Sequence, residues 1–314
     1  MSHLIKKLPI PASGLMLGLA VLGNLVRSHG EIYRNILGLV AAAILVMLAI
    51  KVVKNPACIK EGLGNPVVGG VMATYPMGMM ILSTYLVPFA RGLALGLWVI
   101  GILLHVALLI AFSARYLRTF NIRKVFTTYY IVYVGIVAGS VSAPAHNMFQ
   151  VGEALFWFGF AAYLILLPIV LYRIFVVKEI PAPALPTLIV QAAPGSLCLA
   201  GYLSAFQVKS PVMVGILLAL AAVSILIAFA FLPKLIVGKF IPAFSSFTFP
   251  IVVSGVALKM ASTFYLNTGN SLPWLAPAAL LLEVLSIVIV LYVLMHYTLF
   301  LAAPEVVAPQ SAKA

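Results

Sequence analysis

The sequence contains no aspartate, and its acidic residues are six glutamates against 19 lysines and arginines. Charged residues make up only 8% of the 314 residues, whereas apolar residues make up 64%. A soluble domain carries about 25% charged and roughly 45–50% apolar residues. Because a soluble fold must keep much of its surface in water, this composition argues strongly against a soluble enzyme or binding domain. It predicts a polytopic membrane protein.

Motifs for metal, nucleotide or redox chemistry are also missing. The two cysteines, Cys58 and Cys198, lack CxxC spacing, and there is no Walker A, HExxH or GxSxG motif. A magnesium-dependent enzyme or an ATP-driven pump needs acidic ligands that the sequence does not supply. We therefore expect no cofactor, no metal site and no enzymatic activity. The net charge of +13 comes mostly from basic residues in short loops between apolar runs, so no nucleic-acid partner is expected.

Ten apolar segments are long enough to cross a bilayer, for which a helix needs about 20 residues. Their continuous apolar character is typical of helices, because the strands of a membrane barrel alternate. No A-x-A cleavage site follows the first segment, which therefore predicts a transmembrane helix and not a signal peptide. The predicted spans are 9–27, 34–53, 66–87, 91–113, 125–144, 151–176, 184–206, 212–232, 242–265 and 275–301.

The basic residues are distributed unevenly between the two sides of these spans. Ten spans place both termini on one side, which holds 14 Lys and Arg, against 4 on the other side and Lys259 inside span nine. Short loops rich in Lys and Arg stay cytoplasmic. The pattern predicts a plasma-membrane or inner-membrane protein with both termini in the cytoplasm. We expect a single transmembrane domain at 1–302, followed by a disordered cytoplasmic tail at 303–314.

The chain carries a fivefold internal repeat. The odd-numbered spans begin at residues 9, 66, 125, 184 and 242, in steps of 57, 59, 59 and 58 residues. A regular period indicates one repeated unit, here a helical hairpin, and five hairpins can close into a quasi-fivefold ring around a central pore. Mid-span prolines, tolerated where protein or a cavity surrounds them, lie mainly in odd spans. We therefore predict an all-α fold of ten transmembrane helices, with the odd spans inside.

The repeat, the opening PIPASGLMLGLAVLG and the stretch FSSFTFP in span nine resemble the tellurite-resistance/dicarboxylate transporter family. This family includes the bacterial TehA proteins, the plant guard-cell slow anion channels and the yeast malate permeases, and the resemblance covers essentially the whole chain. It implies a homotrimer in which each protomer has its own pore, formed by five inner helices. It also implies that a phenylalanine of the ninth helix plugs the pore, which corresponds to Phe249. TehA-like sequences can have glycine where Pro250 stands.

Hydroxyls, glycines and prolines near the openings of the odd spans are candidates for lining the pore or kinking its helices. The hydroxyls either bond back to a carbonyl one turn earlier or line a path for weakly bound anions. No inner span carries an arginine that could clamp a carboxylate, which favours weak binding. These candidates are Ser13, Gly14, Thr74, Pro76, Thr128, Thr187, Pro194, Ser246 and Pro250.

Lys259 is the single cation within an inner span. A charge inside the membrane marks either function or pairing. One interpretation is that Lys259 reaches the outer interface or pairs with Glu283 of span ten. The other is that it makes the outer pore mouth positive and concentrates anions there. We expect His29 and His146 to lie in solvated loops.

Two functions follow from the resemblance. The first is a channel that passes small anions through a pore lined by the odd-numbered helices and gated by Phe249. The second is a carrier for C4-dicarboxylates such as malate, or an exporter of sulfite- or tellurite-type oxyanions. The expected partners are small inorganic anions or dicarboxylates, the lipid bilayer and further copies of the chain.

Overall fold

The computed structural model describes residues 2–303, which form helices and connecting turns without a β-strand. The tail predicted at 303–314 lies, apart from Ala303, outside the described residues. The α-helices, in chain order, are α1 (Ser2–Lys7), α2 (Ala12–Leu25), α3 (Glu31–Lys54), α4 (Ala57–Gly64), α5 (Pro66–Met72), α6 (Thr74–Leu86), α7 (Arg91–Tyr116), α8 (Thr128–Tyr133), α9 (Val137–Ser142), α10 (Phe149–Tyr172), α11 (Ala193–Ala205), α12 (Pro211–Ile236), α13 (Thr248–Asn267) and α14 (Leu275–Ala302). The 3-10 helices are Val26–His29, Ile122–Lys124, Ala143–His146, Ala182–Ala192 and Pro242–Phe247, and Arg173–Val177 is π-helical.

Five long helices, α3, α7, α10, α12 and α14, have apolar surfaces that the rest of the chain leaves uncovered. We call them the outer helices. Only 17–39% of the residues in their most apolar stretches are buried, although the mean hydropathy there is 2.3 to 2.9. Each contains at least 24 residues, enough to cross a bilayer. An uncovered apolar surface of this extent is stable against lipid and not against water.

The segments between the outer helices are less apolar and more deeply buried. We call them the inner segments: α2, then α5 with α6, then α8 with α9, then Ala182–Ala192 with α11, and finally Pro242–Phe247 with α13. Three of them are 78%, 94% and 56% buried at a mean hydropathy of only 1.3 to 1.5. Protein therefore surrounds these segments and shields their small and polar residues from lipid.

Within residues 2–303, eight helical stretches are long and apolar enough to span a membrane, and four of them join two of the helices given above. The prediction of an all-helical, multi-pass membrane protein is thereby confirmed. The predicted spans at 9–27 and 125–144 fall short of this criterion. α2 has only 14 residues and continues as a 3-10 turn, while α8 and α9 have six residues each. Ten membrane crossings therefore stay a prediction.

Three inner segments are interrupted just before a proline. Pro76 lies in the first turn of α6, Pro194 in that of α11 and Pro250 in that of α13. Proline has no N–H to donate, and the N–H groups of the first turn have no partner within the helix in any case. The sequence thus begins a new helix at each proline and does not bend a continuous one.

The inner segments contact one another in cyclic order, and each also packs on its own outer helix. The cycle runs from α2 to α6, α9, α11 and α13, and α13 contacts α2 again. The outer partners are α3, α7, α10, α12 and α14, respectively. Consecutive hairpins are therefore neighbours in space, and the fifth hairpin is adjacent to the first.

A hydroxyl hydrogen bond bridges each of the five contacts in this cycle. Such bonds inside a membrane favour close and specific packing of helices. The bridges are Thr74 Oγ1 to Ser13 Oγ (2.8 Å), Thr128 Oγ1 to the Pro66 carbonyl (3.4 Å), Thr127 Oγ1 to the Thr187 carbonyl (2.5 Å), Ser196 Oγ with Ser254 Oγ (3.0 Å) and Thr248 Oγ1 to the Gly14 carbonyl (3.0 Å).

The contact between the first and fifth inner segments depends on Gly18. A Cβ atom at this position would lie 2.5 Å from Oγ1 and 2.6 Å from Cβ of Thr248. We predict that Gly18→Ala destabilises the fold by about 1–3 kcal/mol, because overpacking forces the two segments apart. The thermal midpoint of the purified protein in detergent measures the effect.

Gly96 of the outer helix α7 provides the matched control, since a Cβ there meets nothing within 4 Å. Gly96→Ala should keep or slightly raise the midpoint, because alanine favours a helix over glycine. Equal midpoints for the two variants would contradict the tight packing of the first segment against the fifth.

Candidate permeation site

A small cavity of about 20 Å³ lies between the inner segments, on the side of their N-terminal residues. All five inner segments contribute to its wall, so it lies on the common axis of the cycle. We call it the N-terminal cavity. Its lining consists of Gly14, Val71, Thr74, Ile131, Val190, Ser245, Ser246, Phe249 and Pro250.

A second cavity, of about 10 Å³, lies farther along the inner segments, and we call it the C-terminal cavity. Its lining is Met77, Tyr130, Ile131, Val134, Gly135, Val190, Ala193, Pro194, Leu197 and Phe249. Three side chains, Ile131, Val190 and Phe249, line both cavities and therefore separate them. We call these three residues the apolar collar. Phe249 is 5% exposed and therefore buried at this level.

The collar residues occupy equivalent positions in their repeats. Ile131 and Val190 each come six residues after the start of their predicted spans, and Phe249 comes seven residues after. Neither Ile131 nor Val190 was among the sequence candidates, since an isoleucine or valine in an apolar span carries no chemical signal. Counting back from Phe249 in steps of 59 residues gives Val190 and Ile131, and this spacing is the signal that identifies them.

The predicted pore hydroxyls are mostly occupied by bonds to the protein. Ser13, Thr74 and Thr187 each donate to the carbonyl three residues earlier, at 2.6–2.9 Å. Thr128 donates to a neighbouring segment and does not line either cavity. Of these four residues, only Thr74 lines the N-terminal or the C-terminal cavity.

Two serines of the fifth inner segment differ from these hydroxyls. Ser245 and Ser246 are buried and line the N-terminal cavity, and within residues 2–303 their Oγ atoms have no hydrogen-bond partner. A buried hydroxyl without a partner loses the free energy of its hydration. Ser246 and Ser245 therefore offer unused O–H donors next to the apolar collar.

Helix starts add positive potential at the same level. α6 begins at Thr74, α11 at Ala193 and α13 at Thr248, and residues in the first turns of these three helices line the two cavities. The first turn of a helix carries a partial positive charge, although the N–H groups of Ala193 and Thr248 donate to carbonyl groups of the preceding 3-10 helices.

Lys259 lies farther along α13 and pairs with Glu283 of the outer helix α14. Its Nζ atom is 2.9 Å from Glu283 Oε2 and also donates to Ser28 Oγ and to the Leu25 carbonyl. The other carboxylate oxygen of Glu283 is 2.5 Å from Nε2 of His29. The Lys259 charge is thus compensated, and its action as an outer-mouth charge stays a prediction.

Both loop histidines contact residues of another hairpin, but only His146 is half-buried. His29 reaches Glu283, as described above, and His146 Nε2 is 2.8 Å from Ser83 Oγ. The ring of His146 also packs on Trp98, with 5.3 Å between the ring centroids. Burial lowers the pKa of His146 below its usual value. His29 is thus exposed, as expected, although it contacts Glu283 of another hairpin, whereas His146 is half-buried and not fully solvated.

Comparison with known proteins adds a whole-chain result to this geometry. A family model described as "voltage-dependent anion channel" matches residues 7–298. The match covers all predicted spans apart from three residues at the end of the last one. A search of curated proteins finds no match.

The ion pair between Lys259 of α13 and Glu283 of α14, within the fifth hairpin, generates a stability prediction. We expect Lys259→Met to destabilise the protein by about 1–3 kcal/mol, because buried Glu283 loses its lysine partner. The double variant Lys259→Met/Glu283→Leu should lose less than the sum of the single losses, since no unpaired carboxylate remains. Thermal midpoints in detergent measure both effects, and strictly additive losses would show that the two side chains are not coupled.

Proposed function

The chain belongs to the voltage-dependent anion channel family, and we propose that it conducts small anions through a pore along the axis of its five inner segments. The observation that carries this proposal is the pair of cavities on either side of the apolar collar. Their walls come only from inner segments, and hydroxyl groups and helix starts lie next to the collar. A path for anions needs cavities, a constriction and hydrogen-bond donors that follow one another along one axis.

We propose further that all ten predicted spans cross the membrane as five hairpins in a quasi-fivefold ring. The cyclic contacts of α2, α6, α9, α11 and α13 support this arrangement. In it, the short segments at 9–27 and 125–144 cross the membrane in the company of longer helices that shield them from lipid. Non-helical backbone at membrane depth is tolerated where protein or a cavity surrounds it.

Phe249 is proposed as the gate. Its phenyl ring separates the two cavities together with Ile131 and Val190, and none of the three side chains can hydrogen-bond to an anion. An apolar constriction excludes water and thereby blocks ions, even where the ring does not fill the passage completely. Of the three residues, Phe249 has the largest side chain, so its removal opens the widest gap.

The proposed substrates are small inorganic anions. Each cavity has room for about one water-sized particle. The donors next to the collar are the hydroxyls of Ser245 and Ser246 and the helix starts, which replace part of an ion's hydration. No guanidinium group lines either cavity to bind a carboxylate in a bidentate manner. These features support weak, poorly selective passage over tight binding of a C4-dicarboxylate.

Two further parts of the proposal concern the setting of the pore. The distribution of basic residues supports a plasma or inner membrane location with cytoplasmic termini. Membership of the family supports a homotrimer in which every protomer contains its own pore.

The gate is tested by removal of the phenyl ring. Phe249→Ala should raise the anion conductance in planar bilayers at least tenfold, because the apolar collar loses its largest member. A tenfold rise corresponds to a barrier that is lower by about 1.4 kcal/mol. Single-channel or macroscopic currents of the purified protein, normalised to the amount reconstituted, give the measurement.

Phe247→Ala is the matched control. Phe247 is a fully buried phenylalanine two residues earlier, and it lines neither cavity. Its truncation removes the same group from the core and should lower stability without raising the conductance. A rise in both variants would assign the effect to loosened packing, and no rise in either would reject Phe249 as the gate.

The choice between channel and carrier rests on reversal potentials. Under a chloride gradient, currents through the Phe249→Ala variant should reverse near the chloride equilibrium potential. Replacing chloride by malate on one side should show that malate permeates roughly tenfold less well, because the axis offers no bidentate partner for its carboxylates. Saturable malate counterflow in liposomes without any current would instead support the carrier.

A further inference from the structure

An apolar cleft opens on the side of the molecule between the first two hairpins. It has a volume of about 310 Å³, within the range of pockets that bind small molecules. Its walls come from the outer helices α3 and α7, where Val53 and Leu104 are exposed at its rim. Because both helices are apolar on their uncovered faces, the cleft opens toward lipid.

The floor of this side cleft is formed by inner segments. Ser13 of α2, Met72 at the end of α5 and Pro76 in the first turn of α6 are all buried and line the cleft. The interruption of the second inner segment therefore lies directly behind the cleft. The first turn of α6 therefore faces both spaces: Pro76 lines the side cleft, and Thr74 lines the N-terminal cavity.

A basic pocket adjoins the side cleft at its membrane-interface end. Ile59 of the short helix α4 lines both, and the basic pocket also contains Lys60 and Arg115. Both cations are exposed, and within residues 2–303 neither forms an ion pair. The nearest carboxylate of α4, Glu61, lines a separate pocket on the opposite face of that helix.

Lys51 lines the side cleft at the end that adjoins the basic pocket. Its ammonium group donates to the carbonyl groups of Lys6 and Leu8, at 2.8 and 2.6 Å. Lys51 is therefore occupied in holding the N-terminal residues. The two cations that remain available for an external anion are Lys60 and Arg115.

We propose that this part of the molecule is a binding site for one anionic phospholipid. An acyl chain fills the side cleft, and the phosphate group lies between Lys60 and Arg115. Charge complementarity selects this occupant, because an apolar cleft that ends in two unpaired cations matches an acyl chain that ends in a phosphate. Through Met72 and Pro76, a bound chain supports the interrupted second segment, so the lipid regulates how easily the apolar collar opens. Binding does not depend on the proposed channel function, whereas this regulation rests on it.

The headgroup is tested by native mass spectrometry of the detergent-purified protein titrated with phosphatidylglycerol or phosphatidylcholine. We expect the wild type to retain one phosphatidylglycerol in preference to phosphatidylcholine. The Lys60→Gln/Arg115→Gln variant should lose this preference, by roughly fivefold for each charge removed. Lys234→Gln/Lys239→Gln removes two exposed charges elsewhere and should keep it. Equal retention of the two lipids by the wild type would overturn the proposal.

The acyl-chain site is tested by filling the side cleft. Ala49 lines the cleft, so Ala49→Trp should abolish retention of the lipid whatever its headgroup. Ala107→Trp places the same side chain on an exposed position of α7 outside the lining and should leave retention unchanged. Retention by both tryptophan variants would overturn the proposal. Disulfide cross-linking between two copies of a Val53→Cys/Leu104→Cys double variant would also overturn the proposal, because the cleft would then be an interface between copies.

Regulation is measured separately, as anion flux in liposomes with or without phosphatidylglycerol. The wild type and the Lys234→Gln/Lys239→Gln variant should respond to this lipid, and Lys60→Gln/Arg115→Gln should not. Binding without any effect on measurable flux would reject the regulatory step and keep the site. Absence of flux under every condition, with binding intact, would count against the proposed channel function and not against the lipid site.

Discussion

Every backbone hydrogen-bonding group inside a bilayer needs a partner within the protein, because lipid offers none. The inner segments meet this requirement less well than continuous α-helices, since Ala182–Ala192 and Pro242–Phe247 are 3-10 helices, whose hydrogen-bond geometry is poorer, and a turn separates α8 from α9. Such backbone is stable only when other parts of the protein surround it. The outer helices, continuous and strongly apolar, provide that surrounding. The hairpin repeat therefore couples each interrupted segment to the helix that shields it.

The hydroxyl bridges explain how five weakly similar segments come to lie at one height. Each bridge joins neighbouring repeats, and the fifth, from Thr248 to the Gly14 carbonyl, joins the end of the cycle to its beginning. A fixed height brings Ile131, Val190 and Phe249 to the same level, although they are about 59 residues apart in sequence. The repeat period thus has a direct structural consequence, because it places equivalent residues opposite one another on the axis.

Hydropathy and period were enough to predict the outer helices, the buried odd segments and the importance of their prolines. The lengths of the segments at 9–27 and 125–144 were not predictable, because hydropathy does not register where a buried helix is interrupted. Phe249 came from the family resemblance, while Ile131 and Val190 carry no chemical signal of their own. The contact of His29 with Glu283 joins residues 254 positions apart and depends on how the first and fifth hairpins meet. Tertiary contacts of this kind are invisible to local patterns.

In the proposed pore, selectivity would rest on dipoles and not on formal charges. Lys259 is compensated by Glu283, and the groups next to the apolar collar are serine hydroxyls and helix starts. A full positive charge on the axis would bind an anion tightly and slow its release, whereas rapid passage needs sites that an ion can leave. In the proposed pore, partial charges from Ser246 and from the first turns of α6 and α13 would lower the cost of dehydration without holding the ion. The apolar collar would then be the main barrier, and its opening would be sufficient for conduction.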